Sequence, residues 1–217
     1  MVKRGACVAW ACVCAVAAAC GGAVDNRYNG AQIGQPCTPA VEDDTTFNGF
    51  QAQMVSVELP SPDADPGVLV CLANHFRGRV TCPYGQNADG TGLPAVDGAS
   101  GGPFPSGVGP CVTPSGAPVT GTASDPKTGA QVEPQCADRE AARTVTWSCR
   151  CAAADGTTNG AGTYCACPGG TECVQLVPPI GTLNDDVSGA YCIPTGSDYV
   201  SYGACTLACD PSVTTCP

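Results

Sequence analysis

Residues 144–176 read TVTWSCRCAAADGTTNGAGTYCACPGGTECVQL. Val145, Trp147, Cys149 and Cys151 alternate with Thr146, Ser148 and Arg150, the period of two expected of a strand with one buried face. Fourteen residues after Cys151 the C-x-C spacing returns as Cys165-Ala166-Cys167. Asp155-Gly156 and Asn159-Gly160, both favoured in tight turns, lie between them. The simplest reading is a β-hairpin whose strands each carry C-x-C. The two cysteines of each pair then share a strand face, so both need partners on a facing element. Residues 172–177 (ECVQLV) and 190–193 (AYCI) read as further short strands.

The same grammar extends towards the N-terminus. Residues 53–59 (QMVSVEL) alternate small or apolar with polar side chains and stop at Pro60. Residues 68–72 (VLVCL) and 76–82 (FRGRVTC) predict a second hairpin turning through Ala73-Asn74-His75. Asp63-Ala64-Asp65-Pro66-Gly67 is turn chemistry. Residues 85–134 differ: 19 of these 50 are Gly or Pro, without a fixed period. That density predicts a long loop or linker. Cys111 sits alone within it and is expected to pin the loop at mid-length.

Ordinary core packing does not suffice for such a chain. Of the 198 residues after residue 19, only 32 are Leu, Ile, Val or Phe. Below about 20%, burial struggles to offset the entropy of ordering. Cysteine is the alternative source of stability. Cys37, Cys71, Cys82, Cys111, Cys136, Cys149, Cys151, Cys165, Cys167, Cys173, Cys192, Cys205, Cys209 and Cys216 are spread along the chain. In an oxidising compartment each bridge adds about 2–4 kcal/mol. Spacing leaves the pairing open. The expected fold is small, disulfide-rich and mainly β, with short antiparallel strands and hairpins, much irregular structure, and an N-terminal signal helix. Four of these cysteines fall in 37–111 and ten in 136–217, so two separately bridged lobes are possible. The expected layout is a signal peptide at 1–19, a tether at 20–36, a β lobe at 37–84, a Gly/Pro-rich linker at 85–135, and a cysteine-rich β lobe at 136–217.

The N-terminus directs the chain out of the cytoplasm. Lys3 and Arg4 precede an uncharged Ala/Val/Cys-rich run from residue 6 to residue 19. A basic head, a short apolar run and small residues before a cut site constitute a secretory signal. The run is short for a membrane span, which takes about 20 residues. Ala17-Ala18-Ala19-Cys20 resembles a bacterial lipobox, with Ala17 where that motif usually has Leu. The resemblance implies that Cys20 becomes residue one and carries the lipid. Parity agrees: of 18 cysteines, Cys7, Cys12 and Cys14 leave with the signal. With Cys20 acylated, fourteen remain, enough for seven bridges.

Charge and motifs remove several function classes. Without Lys3 and Arg4 the chain has 7 basic and 19 acidic residues, a net charge of −12. Such a surface repels phosphate backbones, so no nucleic-acid partner is expected. Structural zinc sites space their thiolates C-x₂₋₄-C; neither C-x-C pair fits, and no metal or cofactor is expected. Residues 165–173 (CACPGGTEC) have the faint look of the end of an EGF module, without its aromatic or its upstream spacing. Residues 98–103 (GASGGP) resemble the nucleophile segment of chymotrypsin-like proteases, with His75 and Asp89 upstream. Ala99 replaces the acidic residue, and His75 and Ser100 are only 25 residues apart. No catalytic residue is therefore assigned. Arg77 and Arg79 are expected to share a strand face as solvated charge. Asp43-Asp44, Asp155 and Asp185-Asp186 match no calcium loop.

Residues 15–22 (AVAAACGG), 71–86 (CLANHFRGRVTCPYGQ) and 144–176 together resemble uncharacterised cysteine-rich lipoproteins of myxobacteria and related bacteria. The resemblance implies a cell-envelope location, with an outer-membrane lipoprotein as the expected form, and no known activity. The expected role is binding or structural: membrane attachment through Cys20 and an envelope protein or polysaccharide as partner. The alternatives are a secreted enzyme or inhibitor on a disulfide scaffold, and a metal or redox thiol protein.

Overall fold

The computed structural model describes residues 32–59, 69–86, 110–120, 131–136, 138–158, 164–179 and 187–200. The expected signal helix, Cys20, Cys205, Cys209 and Cys216 lie outside them. The fold is mainly β, with short antiparallel strands in two small sheets and little helix. Among the described residues the elements in chain order are a 3-10 turn (Ala40–Asp43), β1 (Val55–Glu58), β2 (Val70–Asn74), one turn of α-helix, α1 (Ala141–Thr144), β3 (Val145–Ser148), β4 (Arg150–Ala152), β5 (Thr171–Val177) and β6 (Gly189–Pro194).

The first sheet has the order β1-β2-β3 and the second β4-β6-β5, all pairs antiparallel. In the first sheet Glu58 faces Cys71, and Cys71 faces Trp147. In the second sheet Cys173 faces Cys192. The alternating run from Val145 to Cys151 is therefore not one strand. It serves both sheets and changes sheet at Cys149, between β3 and β4. Two bonds hold the change in place: the Cys192 amide donates to the Cys149 carbonyl at 3.1 Å, and Ser148 Oγ donates to the Cys192 carbonyl at 2.7 Å.

The central strands divide their side chains by parity. From β2, Val70 and Leu72 join Tyr191 and Ile193 of β6 in one buried cluster, flanked by Val55, Val57, Val174 and Leu176. The alternate residues Cys71 and Ala73 turn to a second cluster with Cys37, Phe76, Val80, Val145 and Trp147. On β6, Ala190 and Cys192 join Cys149, Cys151 and Ala152 in a third. β2 is buried along its whole length, which is why it reads as a continuous apolar run rather than an alternating one. Tyr191 is fully buried and its hydroxyl donates to the Val187 carbonyl at 2.6 Å; burial pushes this phenol up to about 12.

Two expected hairpins are replaced. Residues 68–82 do not fold back on themselves: β2 is sandwiched between β1 and β3. The physical reason is the backbone at His75, which adopts φ 51° and ends the strand. Beyond it, Gly78 pairs with Phe50 instead. Similarly, residues 164–168 are not a strand. β4 pairs with β6, and the second C-x-C is held beside β4 by one amide bond, Cys165 to the Arg150 carbonyl, at 2.9 Å.

The 110–120 segment folds as a tight loop, closed by the Val119 amide on the Cys111 carbonyl at 2.8 Å. Cys111, Val119 and Val132 form a small buried cluster with Cys82 against it. The Gly/Pro-rich segment is thus tied to the fold through Cys82–Cys111.

Candidate functional site

Every described cysteine is disulfide-bonded. The pairs are Cys37–Cys71, Cys82–Cys111, Cys149–Cys165, Cys151–Cys173 and Cys167–Cys192. Cys136 is disulfide-bonded as well. Cys37–Cys71 ties the segment before β1 to the middle of the first sheet. The other four cysteines of the two C-x-C motifs, with Cys173 and Cys192, make three bridges over one face of the second sheet. Here the C-x-C rule applies in altered form. Cys149 and Cys151 do take partners from facing chain, yet only Cys149 reaches the other C-x-C, while Cys151 reaches β5.

These three bridges touch. Cys192 Sγ lies 3.6 Å from Cys165 Sγ and 3.9 Å from Cys149 Sγ. Cys149, Cys151 and Cys192 are buried, Cys165 and Cys167 half-buried, and Cys173 exposed. The cluster therefore runs from the protein surface to the base of β6.

A polar constellation occupies the opposite end of β2. Arg139 is buried and, among the described residues, its guanidinium donates to main-chain carbonyls: Asn74 at 2.5 Å, His75 at 3.3 Å, Ser197 at 2.8 Å and Asp198 at 3.2 Å. It joins the end of β2 to the loop after β6. Asn74 Nδ2 adds a bond to the Ser197 carbonyl at 3.1 Å. His75 stacks on Tyr199 at 3.8 Å between ring centroids, almost parallel, and Arg139 lies over the same ring at 5.7 Å. His75 Nδ1 lies 3.0 Å from the Ala52 carbonyl, so Nδ1 carries the proton and donates it. Partial burial pushes the imidazole below its ordinary range; the Ala52 bond opposes this, and the Arg139 charge adds to it. A small cleft beside Arg139 is lined by Asp138, Glu140, Arg143 and Thr144. The protease-like reading needed His75 beside Ser100 and Asp89; those two residues lie outside the described ones. Among the described residues, His75 meets a carbonyl, a tyrosine ring and an arginine.

The expected pair of solvated arginines is corrected for one member. Arg79 is completely buried, while Arg77 is half-buried and pairs with Glu133 at 2.7 Å. Arg79 Nε lies 3.5 Å from Glu42 Oε2, and its remaining nitrogens donate to the carbonyls of Glu42, Asp44 and Phe47. Glu42 in turn accepts from the Val80 amide at 2.6 Å, the Thr81 amide at 3.1 Å and the Thr81 hydroxyl at 2.6 Å. Burial pushes the Glu42 carboxyl up, against the pull of Thr81 and Arg79. Asp44 and Asp155 each close their own turn by accepting from the amide and hydroxyl two residues on, Thr46 and Thr157. Those bonds hold both carboxyls below the ordinary range. Asp185 and Asp186 lie outside the described residues.

Sequence reading missed Glu42, Arg79 and Arg139 as structural centres. Each acts mainly through partners 32 or more residues away, and no local spacing marks them. Among known proteins the chain matches no family model, no curated protein and no solved structure. Among the described residues no helix is long and apolar enough to cross a membrane.

Proposed function

We propose that the protein is a lipid-anchored, extracytoplasmic scaffold that acts by binding or by structure at the bacterial cell envelope. One observation carries the reading: all eleven described cysteines are in disulfides. Bridges at this density persist only where thiols are not kept reduced. The basic head, the apolar run and Ala17-Ala18-Ala19-Cys20 supply the route out and the attachment point. The likeness to cysteine-rich myxobacterial lipoproteins agrees with an outer-membrane location, and the acidic surface suits an envelope protein or polysaccharide partner better than a nucleic acid.

Intact mass of the protein from the membrane fraction, before and after reduction and alkylation, tests it. The expected species starts at Cys20, carries a diacyl or triacyl mass, and shows fourteen alkylated thiols only after reduction. An unlipidated soluble chain, or one retaining Met1, overturns the anchor. Alkylation before reduction overturns the disulfide scaffold.

A further inference from the structure

We propose that Cys173 is a thiol-exchange site, through which an external thiol switches the bridges Cys151–Cys173 and Cys167–Cys192 to a second pairing, Cys173–Cys192 and Cys151–Cys167. The strand register carries the inference. β5 and β6 are antiparallel with Cys173 opposite Cys192. Residues opposed in this way have Cα atoms about 4.5–5.5 Å apart and side chains on one face, and a disulfide spans about 4.4–6.8 Å between Cα atoms. Each of the two nevertheless bonds elsewhere, Cys173 to Cys151 of β4 and Cys192 to Cys167. The cysteines left over by the second pairing are neighbours too: the sulfurs of Cys151, Cys167 and Cys192 all lie within 4.8 Å of one another. The backbone ladder, not a bridge, sets Cys173 opposite Cys192, so that opposition outlasts the opening of either bridge.

Exposure follows the order the chemistry needs. Cys173 is exposed, Cys167 half-buried, and Cys151 and Cys192 buried, so an external thiolate meets Cys173 first. Its sulfur bonds to Cys173 Sγ, and Cys151 leaves as thiolate. The Cys151 thiolate attacks Cys167 Sγ, which forms Cys151–Cys167 and releases the Cys192 thiolate. Cys192 then attacks Cys173 Sγ, which forms the cross-strand bridge and expels the external thiolate. Three S–S bonds form and three break, no electrons are gained or lost, and the external thiol is regenerated. A small monothiol, or the reactive thiol of an exported oxidoreductase, meets the requirement.

Cys149–Cys165 stays out of the exchange. Cys192 Sγ lies 3.6 Å from one of its sulfurs and 3.9 Å from the other. It therefore sits beside that bond, whereas a thiolate displaces sulfur along the bond axis. The switch changes what holds the second sheet together. In the first pairing a bridge ties β4 to β5 across the intervening β6. In the second the two C-x-C motifs are bridged wholly to each other, β5 is bridged to β6, and β4 is released from β5.

The test uses the oxidised, exported protein, incubated without oxygen with glutathione kept below the molar amount of protein. Acid stops exchange, and pepsin cuts between the four segments that hold residues 149–151, 165–167, 173 and 192. In the first pairing the three bridges join all four segments in one species. In the second they give two species, one of the two C-x-C segments and one of Cys173 with Cys192. Mass spectrometry is expected to show glutathione first on Cys173, then loss of the four-segment species to the two-segment ones, with Cys37–Cys71 unchanged. Cys151→Ser leaves Cys173 without its partner, and is expected to form Cys173–Cys192 with no added thiol and a free thiol on Cys167. A four-segment species that persists, a first adduct on another cysteine, or a thiol that stays on Cys173 in Cys151→Ser each overturn the proposal. The exchange needs the oxidised chain and not the lipid, so an unlipidated protein that switches would overturn the anchor alone.

Discussion

The Arg79 guanidinium lies 3.5 Å from the Glu42 carboxylate, and neither side chain has any exposed surface. Around them the hydrogen-bonding capacity is nearly used up. Glu42 accepts from Val80 and Thr81, and Arg79 donates to three carbonyls of the chain between residues 42 and 47. The pair thus closes the 42–47 segment over the 79–81 turn, in a protein with little apolar side chain to do the same.

Removing one partner leaves the other charge buried and unpaired, a change that typically costs about 3–5 kcal/mol. Glu42→Ala is expected to lower stability by that amount in denaturant titration with all bridges intact. Arg79→Lys should also destabilise, because one ammonium cannot span the three carbonyls that a guanidinium fork reaches. A Glu42→Ala protein as stable as the wild type would show that the pair is not a structural centre.

His75 sits at φ 51°, the left-handed region that Asn tolerates and β-branched residues do not. Its imidazole is held below the ordinary value of 6.5 by burial and by Arg139. The unfolded chain therefore binds the proton more tightly than the folded one. This contribution to stability is complete above pH 6.5 and is lost as pH falls through the folded pKa. His75→Asn should keep the turn and flatten that part of the stability–pH curve, whereas His75→Val should destabilise at every pH. An unchanged slope in His75→Asn would remove His75 as its source.

What was legible in the sequence was what repeats locally. Period-two alternation found β1, β5 and β6 within a residue or two, and Asp-Gly marked the turn at Asp155. Pairing was not legible. The run from Val145 to Cys151 shows perfect alternation, yet nothing in it says that Cys149 is where the chain changes sheet. The hairpin expected at residues 73–75 failed because histidine does not advertise a left-handed turn as glycine does. Arg77 and Arg79 look alike at two-residue spacing; only Glu42, 37 residues earlier, decides which one is buried. The sulfur cluster was half visible, as two C-x-C motifs needing partners, and its third contributor, Cys192, became identifiable only through the β5–β6 register.

Cys37–Cys71 closes the longest loop among the described bridges, with a sequence separation of 34, and Cys149–Cys165 the shortest, with 16. On the chain-entropy view these separations correspond to about 3.8 and about 3.1 kcal/mol. Cys37→Ala/Cys71→Ala is expected to lose roughly the larger figure plus the packing of two buried sulfur atoms in the Trp147 cluster. Thermal unfolding of the oxidised double variant measures it. A loss smaller than that of Cys149→Ala/Cys165→Ala would mean that contact within the sulfur cluster, rather than loop closure, sets the order.

Gly78 and Gly156 separate two costs that usually come together. Both have positive φ, 85° and 82°. A Cβ on Gly78 would meet the Glu133 carbonyl oxygen at 2.1 Å, whereas one on Gly156 would meet nothing within 4 Å. Left-handed strain alone costs about 1–2 kcal/mol for an L-residue. Gly156→Ala should therefore cost about that much and leave the fold unchanged. Gly78→Ala must in addition push the 133–135 backbone away from the 77–79 turn, where the Phe50–Gly78 and Arg77–Glu133 contacts both sit. Its loss should be clearly the larger, and should bring faster amide exchange at Gly78, whose N–H donates to the Phe50 carbonyl at 3.0 Å. Equal destabilisation in the two variants would show that this approach of backbone to backbone is relieved at no cost, and that backbone strain alone governs both glycines.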